Sequence, residues 1–328
     1  MKMTKNCVGR TALTVGKKAV TDYRIPLLTV LLFAFMAMYV DKFSTPYNVY
    51  SILDSVASSG IAAIGFTFIL LVGQLDISFG SVISLSACVF MMLLKAEVNF
   101  ALAVLAALAV GVVCGTITGF FVANFRLSPF IVSMTMQLVY KGIALTITES
   151  TPVAMSHPVL MSIYKTKFFD GMIPVTFVLF LVLVLITEFI LRKTQYGRNL
   201  FLVGGNISVS DNLGMKSSRY VWSAYILQGL FAAIAGIVLM TRTFSANANI
   251  GAQSLLNVIP MVIVGGTSMA GGKGGAIKTL WGVLLLSVVY NAMTFFDIPA
   301  PLQPFVKGLI LVVVVVSDKY MERRHNKV

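Results

Sequence analysis

The sequence predicts an all-α polytopic membrane protein of about ten transmembrane helices. The first observation is composition. Of 328 residues 58% are hydrophobic and 11% charged, with mean hydropathy +0.90. Soluble domains carry about 25% charged residues, so a soluble globular class is excluded. The second is that apolar segments near the length a helix needs to cross a bilayer recur along the chain, separated mostly by short polar stretches. The third is where the cations sit. The net charge of +13 is concentrated at the two ends and in one internal stretch, which points to membrane orientation and not to nucleic acid.

Taken in order, residues 1–24 form a basic segment with Lys2, Lys5, Arg10, Lys17, Lys18 and Arg24. Span 1 is predicted at 25–40, at the short end of what crosses a bilayer. A basic region before an apolar run is also the pattern of a cleaved signal peptide. The basic region is long, however, and Asp41-Lys42-Phe43 is a poor cleavage site, so the segment is read as a retained span. Spans 2 to 5 are predicted at 52–72, 79–94, 100–123 and 129–148. A polar stretch at 149–171 precedes span 6 at 172–191. After a basic loop at 192–219 come span 7 at 220–240, span 8 at 255–264, span 9 at 276–295 and span 10 at 302–316. Span 8 is too short for a hydrocarbon core of about 30 Å unless its flanks contribute. The membrane domain therefore covers 25–317, and 318–328 is a polar tail.

With ten spans, eighteen cations fall on the face of the N-terminus and five on the other, namely Lys42, Lys95, Lys165, Lys167 and Arg242. That asymmetry places both termini and the 192–219 loop in the cytoplasm. Division at 149–171 would give two five-span halves of inverted orientation, as in many transporters. The letters of the halves show no convincing self-similarity.

The 192–219 loop holds Arg192, Lys193, Arg198, Lys216 and Arg219 against one acid, Asp211. Within it Asn206 is placed to cap a helix of about two turns that stops at Gly214. The loop reads as a docking surface for a soluble partner, the alternative being a solvated connection. The run Gly265-Gly266-Thr267-Ser268-Met269-Ala270-Gly271-Gly272-Lys273-Gly274-Gly275 fails the phosphate-loop pattern twice, with Thr267 at the first glycine position and Gly274 at the hydroxyl position. Its glycines suit tight turns and close backbone approach between spans 8 and 9. In Gly73-Gln74-Leu75-Asp76-Ile77-Ser78-Phe79-Gly80-Ser81, either Asp76 or Ser78 caps span 3, or Gln74, Asp76 and Ser78 offer hydrogen bonds to a solute. Gly111, Gly115 and Gly119 recur every fourth residue, a packing face.

Asp54, Lys141, Glu188 and Lys307 are ionisable residues within the spans, each near an end, and none is the central acid expected of a proton-coupled carrier. Cys7, Cys88 and Cys114 lie far apart and suggest packing. His157 and His325 show no metal-ligand spacing, and no catalytic grouping is present, so the chain does not read as an enzyme.

Three segments carry a family resemblance. Gly73 to Ser81 is similar to G-G-I-D-L-S-V-G-S, with Gln74 at the second glycine. Thr194 with Gly197, Gly204-Gly205-Asn206 and Gly214-Met215 keep the spacing of T-x-x-G…G-G-N-x-x-A-A-x-x-x-G-I, with Val209-Ser210 for the alanines and Met215 for isoleucine. Gly265 to Gly275 is similar to G-G-T-S-L-x-G-G-x-G. Over about residues 47–318 the chain resembles the permease subunits of bacterial ABC-type monosaccharide importers, the ribose, xylose and galactose type. The resemblance implies a multi-pass protein of the bacterial inner membrane that pairs with a second permease subunit, alike or different. It also implies a cytoplasmic ATPase that binds the ATP, so that this chain needs no cofactor, and an extracytoplasmic solute-binding protein. By the same resemblance Gly205, Asn206, Asp211, Leu213, Gly214 and Met215 would meet the ATPase, while Gln74, Asp76 and Ser78 stand as the solute-path candidates on their own hydrogen-bonding chemistry. Related permeases for branched-chain amino acids or nucleosides, and a stand-alone secondary carrier, are the alternatives.

Overall fold

The computed structural model describes residues 24–325 apart from position 170. The basic segment expected at 1–24 lies outside the described residues except for Arg24, and of the expected tail only helical backbone as far as His325 is described. Along the chain run α1 (Arg24–Tyr39), α2 (Pro46–Leu71), α3 (Phe79–Lys95), α4 (Phe100–Asn124) and α5 (Pro129–Ile147). Then come β1 (Val153–Ala154), α6 (Pro158–Lys165), β2 (Lys167–Phe168), β3 (Ile173–Pro174) and α7 (Val175–Lys193). They are followed by α8 (Gln195–Gly205), α9 (Ile207–Asn212), α10 (Ser217–Thr243), β4 (Ser245–Ala246), α11 (Ala252–Gly265), α12 (Ala276–Phe295) and α13 (Gln303–His325).

All ten apolar segments are helical, but they are not equal. Among the described residues six helices, α2, α4, α5, α7, α10 and α12, are long and apolar enough to cross a membrane. The apolar parts of α1, α3, α11 and α13 are shorter. Helix α11 has 14 residues with Pro260 inside, which bears out the doubt over span 8.

Helix α2 is the hub. In its most apolar stretch 78% of residues are buried within the protein, against 22–28% for α4, α5 and α7. A helix apolar on every side belongs in the middle of a bundle, and Thr45 with Pro46 starts it cleanly: the Thr45 hydroxyl accepts from the Asn48 N–H, and proline sits where no N–H is needed. Around α2 pack α7, α10, α11 and α12, with α3 and α4 behind α10. The glycine face on α4 meets α10. A side chain on Gly111 would strike the Gly229 carbonyl, one on Gly115 the Tyr225 carbonyl, and one on Gly119 the Tyr225 side chain. Lipid supplies no hydrophobic drive between helices, so such close packing must hold them.

The polar stretch at 149–171 has structure that periodicity did not reveal. Strand β1 pairs antiparallel with β4, Val153 opposite Ala246, and β2 pairs with β3 in a hairpin. His157 caps α6 by accepting from the Val159 N–H at 3.2 Å. At this face Arg242 of α10 lies 3.7 Å from Asp54 of α2, and Thr176 of α7 donates to the same carboxylate at 3.3 Å.

Gly115→Ala is expected to destabilise the protein by about 1–3 kcal/mol, because the added methyl meets backbone that cannot rotate away. At Gly142 of α5 nothing lies within 4 Å of an added Cβ, so Gly142→Ala is expected to be neutral or to stabilise by up to about 1 kcal/mol. Thermal unfolding of the two purified variants in detergent measures the difference.

Candidate functional site

The basic loop folds as two short helices. Thr194 caps α8 by accepting from the Gly197 N–H at 3.2 Å. Asn206 then turns extended (φ −165°, ψ 109°), and its side chain accepts from the Val209 N–H at 3.0 Å to start α9. Gly214 follows with φ +80°, a left-handed turn that a glycine adopts without strain. The helix expected after Asn206 is therefore present; α8 before it was not foreseen. Tyr196 of α8 and Ser223 of α10 share a hydroxyl hydrogen bond of 2.7 Å, and Asn199 donates to the Tyr220 hydroxyl at 2.7 Å. Burial, opposed by the bond to Ser223, pushes the Tyr196 phenol above its ordinary value, so it stays a neutral hydroxyl at working pH.

The outward side of the loop is apolar as well as basic. Leu213 is 73% exposed, Val209 and Ile207 are exposed, and so are Gly205, Asn206 and all five cations. Met215 points the other way and packs against the core. Asp211 ties the loop down: its carboxylate lies 3.3 Å from Arg126 in the α4–α5 connection and accepts from the Ser217 N–H at 3.4 Å.

The three glycine-bearing segments meet at the foot of α2. The Gly272 N–H donates to the Leu71 carbonyl at 2.9 Å, satisfying an oxygen in the last turn of α2. A Cβ on Gly204 would collide with that same carbonyl, and one on Gly271 with the Gly204 carbonyl and Gly73. The Gly265–Gly275 run thus braces α8 and the 73–78 segment, a wider role than the expected α11–α12 contact, which it also makes: a side chain on Gly265 would strike the Lys278 carbonyl. Gly266, Gly271 and Gly272 have φ of +104°, +85° and +69°. Glu188 and Arg192 of α7 clamp the end of this run. The Glu188 carboxylate accepts from the Ala276 N–H at 2.8 Å and the Ile277 N–H at 3.2 Å, the first donors of α12, and pairs with Arg192 at 2.9 Å. Arg192 also donates to the Gly274 carbonyl at 3.3 Å. Glu188 gave no sign of this contact in the sequence, because its partners lie 88 positions on.

Asp76, Ser78 and Gln74 part company. One oxygen of Asp76 accepts from the Ser78 N–H at 2.7 Å and the Ser78 hydroxyl at 2.6 Å, both residues being buried. Asp76 lies within electrostatic reach of Cys114 and Tyr225. These residues stand about 15 Å and about 12 Å along α4 and α10 from their loop-side ends, at 1.5 Å rise per residue. The 73–78 segment therefore turns back among these helices, and α3 starts inside the bundle, with Phe79 against Phe66 of α2. That explains why α3 is short and largely buried. Irregular backbone at such depth is tolerated only inside protein. Gln74 instead lines a cavity of about 240 Å³ with Arg126, Asp211 and Ser217.

Buried, helix-broken and glycine-braced, this bundle is built as a membrane permease. The chain belongs to the family described as branched-chain amino acid transport system / permease component, whose model matches residues 48–315. It is a transport component and not an enzyme, and a multi-pass protein of the inner membrane. It is similar to the ribose import permease protein of Escherichia coli, 30% identical over 88% of this chain and 91% of that one. The corresponding protein of Haemophilus influenzae is 28% identical over 92% and 94%. The L-arabinose ABC transporter permease protein of Azospirillum brasilense is 29% identical over 93% and 90%. No solved structure matches the chain.

Glu188→Gln keeps an acceptor for the α12 N–H groups and loses an ion pair whose arginine is 49% exposed, so it is expected to cost less than about 1 kcal/mol. Glu188→Leu leaves those donors unpaired and is expected to cost about 1–3 kcal/mol. Thermal unfolding separates the two, and equal losses would remove the clamp.

Proposed function

We propose that this chain is the membrane-spanning permease subunit of an ATP-binding-cassette importer and forms the translocation path for a monosaccharide. The observation that carries the reading is similarity over nearly the whole chain to permeases named for ribose and arabinose. Ten crossings with both termini in the cytoplasm complete it, the short helices α1, α3, α11 and α13 contributing with their flanks and with the broken segment at 73–78. The positive-inside distribution supports that count. The membrane domain then covers 25–317, with the loop at 192–219 on its inner side.

In this reading α9 is the coupling element. Asn206 sets its start and Gly214 its end. Leu213, with Val209 and Ile207, forms an apolar knob amid cations for a cytoplasmic ATPase. Gly205 leaves room beside it, and Asp211 and Met215 anchor it to the bundle. The chain itself binds no ATP. Movement of α9 would be felt directly by α10 through Asp211, and by the glycine junction under α2 through the adjoining α8, whose Tyr196 touches α10 and whose Gly204 meets the Leu71 carbonyl. A second permease subunit completes the path, and the structured 149–171 stretch on the opposite face would receive a solute-binding protein.

Leu213→Asp is expected to leave the protein inserted and stable while reducing co-purification of the ATPase at least tenfold, and deletion of 206–214 to abolish it. Retained ATPase in both would sink the docking role. Uptake of radiolabelled D-ribose or L-arabinose by the reconstituted complete transporter tests the solute class, with leucine uptake in its place as the contrary result.

A further inference from the structure

Among the long helices α5 has the wrong surface for lipid. In its most apolar stretch only 22% of residues are buried, the smallest share of the six, yet α5 is clearly less apolar than α4 and α7, each 28% buried. It is no more apolar than α12, of which 56% is buried. The exposed Thr135 and Thr146 bond carbonyls of their own helix and are at home in hydrocarbon. Gln137 and Lys141 are not. They lie one turn apart, both half-buried, and among the described residues neither makes a hydrogen bond, ion pair or ring contact. The rotation of α5 that leaves them there is fixed by Tyr140, which bonds to Thr118 and the Cys114 carbonyl of α4 at 2.8 Å each. Gln137 stands about 12 Å from one end of α5 and about 15 Å from the other, at 1.5 Å rise per residue. Its side chain is too short to reach a headgroup from there, and neither α3 nor α4, on which α5 packs, carries an acid for Lys141. Unsatisfied polar groups at such depth are costly in hydrocarbon and face a cavity, a partner or water.

A dry partner is excluded by charge. The acids within the bundle, Asp54, Asp76 and Glu188, are engaged by Arg242, Ser78 and Arg192, so a second copy has none to offer Lys141. Residues 1–23 of this chain bring five cations and one acid, Asp22. Water is the remaining neighbour. We infer that this face of α5 lines a water-filled solute path, with Gln137 and Lys141 at its wall and the second permease subunit across it. Their amide and amine offer hydrogen bonds to a hydroxylated solute, where the adjacent Met134 and Leu138 offer none. The inference rests on the importer reading for the second subunit and for the solute.

The test uses the complete transporter in proteoliposomes, with Cys7→Ser in the permease, since Cys88 and Cys114 are buried. Gln137→Cys, Lys141→Cys and, as a lipid-facing control, Leu185→Cys on α7, 64% exposed, are treated with anionic sulfonatoethyl methanethiosulfonate. The reagent attacks a thiolate, which forms in water and not in hydrocarbon. Modification at 137 and 141 is expected at least tenfold faster than at 185, with a several-fold loss of D-ribose or L-arabinose uptake. Rates no faster than at 185 put the face in lipid or in a dry contact and overturn the inference, as does modification that leaves uptake unchanged. Independently of the cysteines, Gln137→Leu with Lys141→Met makes α5 a better lipid-facing helix. This pair is expected to lower uptake several-fold while the ATPase co-purifies as before; uptake at the unchanged rate overturns the path role. Absence of uptake by the unmodified transporter overturns the importer reading, while the face of α5 is then judged on modification rates alone.

Discussion

A helix in hydrocarbon can end only where something else satisfies its last carbonyls, and the Leu71 carbonyl at the foot of α2 states the problem for this protein. Its partner is the N–H of Gly272, two hundred residues further on. For that bond to form, three stretches of backbone must approach to contact distance, and glycines stand at 73, 204 and 271 where they do. Once α2 is finished in this way, the chain is free to turn back into the bundle at 73–78 and begin α3 inside it. The rest of the bundle is arranged around that break.

The same junction makes the basic loop part of the transmembrane machinery. Helix α8 ends on the α2 carbonyl, α9 is tied through Asp211 to the α4–α5 connection and to α10, and Glu188 with Arg192 holds the start of α12 to the glycine run. A push on α9 would therefore pass directly to α10 and, only by way of α8 and the glycine run, to α2 and α12. In the proposed reading, an importer whose energy is supplied by a separate chain needs such a linkage, and the exposed Leu213 is the proposed point of contact.

Some of this was legible from the letters. The Asn206 cap and the Gly214 stop rest on the local chemistry of a side-chain acceptor and a left-handed turn, and both appear where expected. The four-residue glycine spacing on α4 announced a close helix contact because helical periodicity puts those residues on one face. Span positions followed from hydropathy, though the unequal helix lengths, six able to cross and four shorter, did not. The α8 helix and the cap made by His157 were not foreseen because each depends on short-range geometry without an apolar period, and the β1–β4 pairing because Val153 and Ala246 lie far apart along the chain.

The sequence by itself determined that the chain lives in a bilayer, where its helices run and which loop is basic, because hydropathy, helix period and charge are properties of neighbouring residues. Tertiary structure decided which glycines meet, what Glu188 holds, and that Asp76 turns inward to Ser78 while Gln74 borders a cavity. Those outcomes join residues tens to hundreds of positions apart, and the backbone oxygen or open space each one finds belongs to the packed bundle and to no local stretch of the chain.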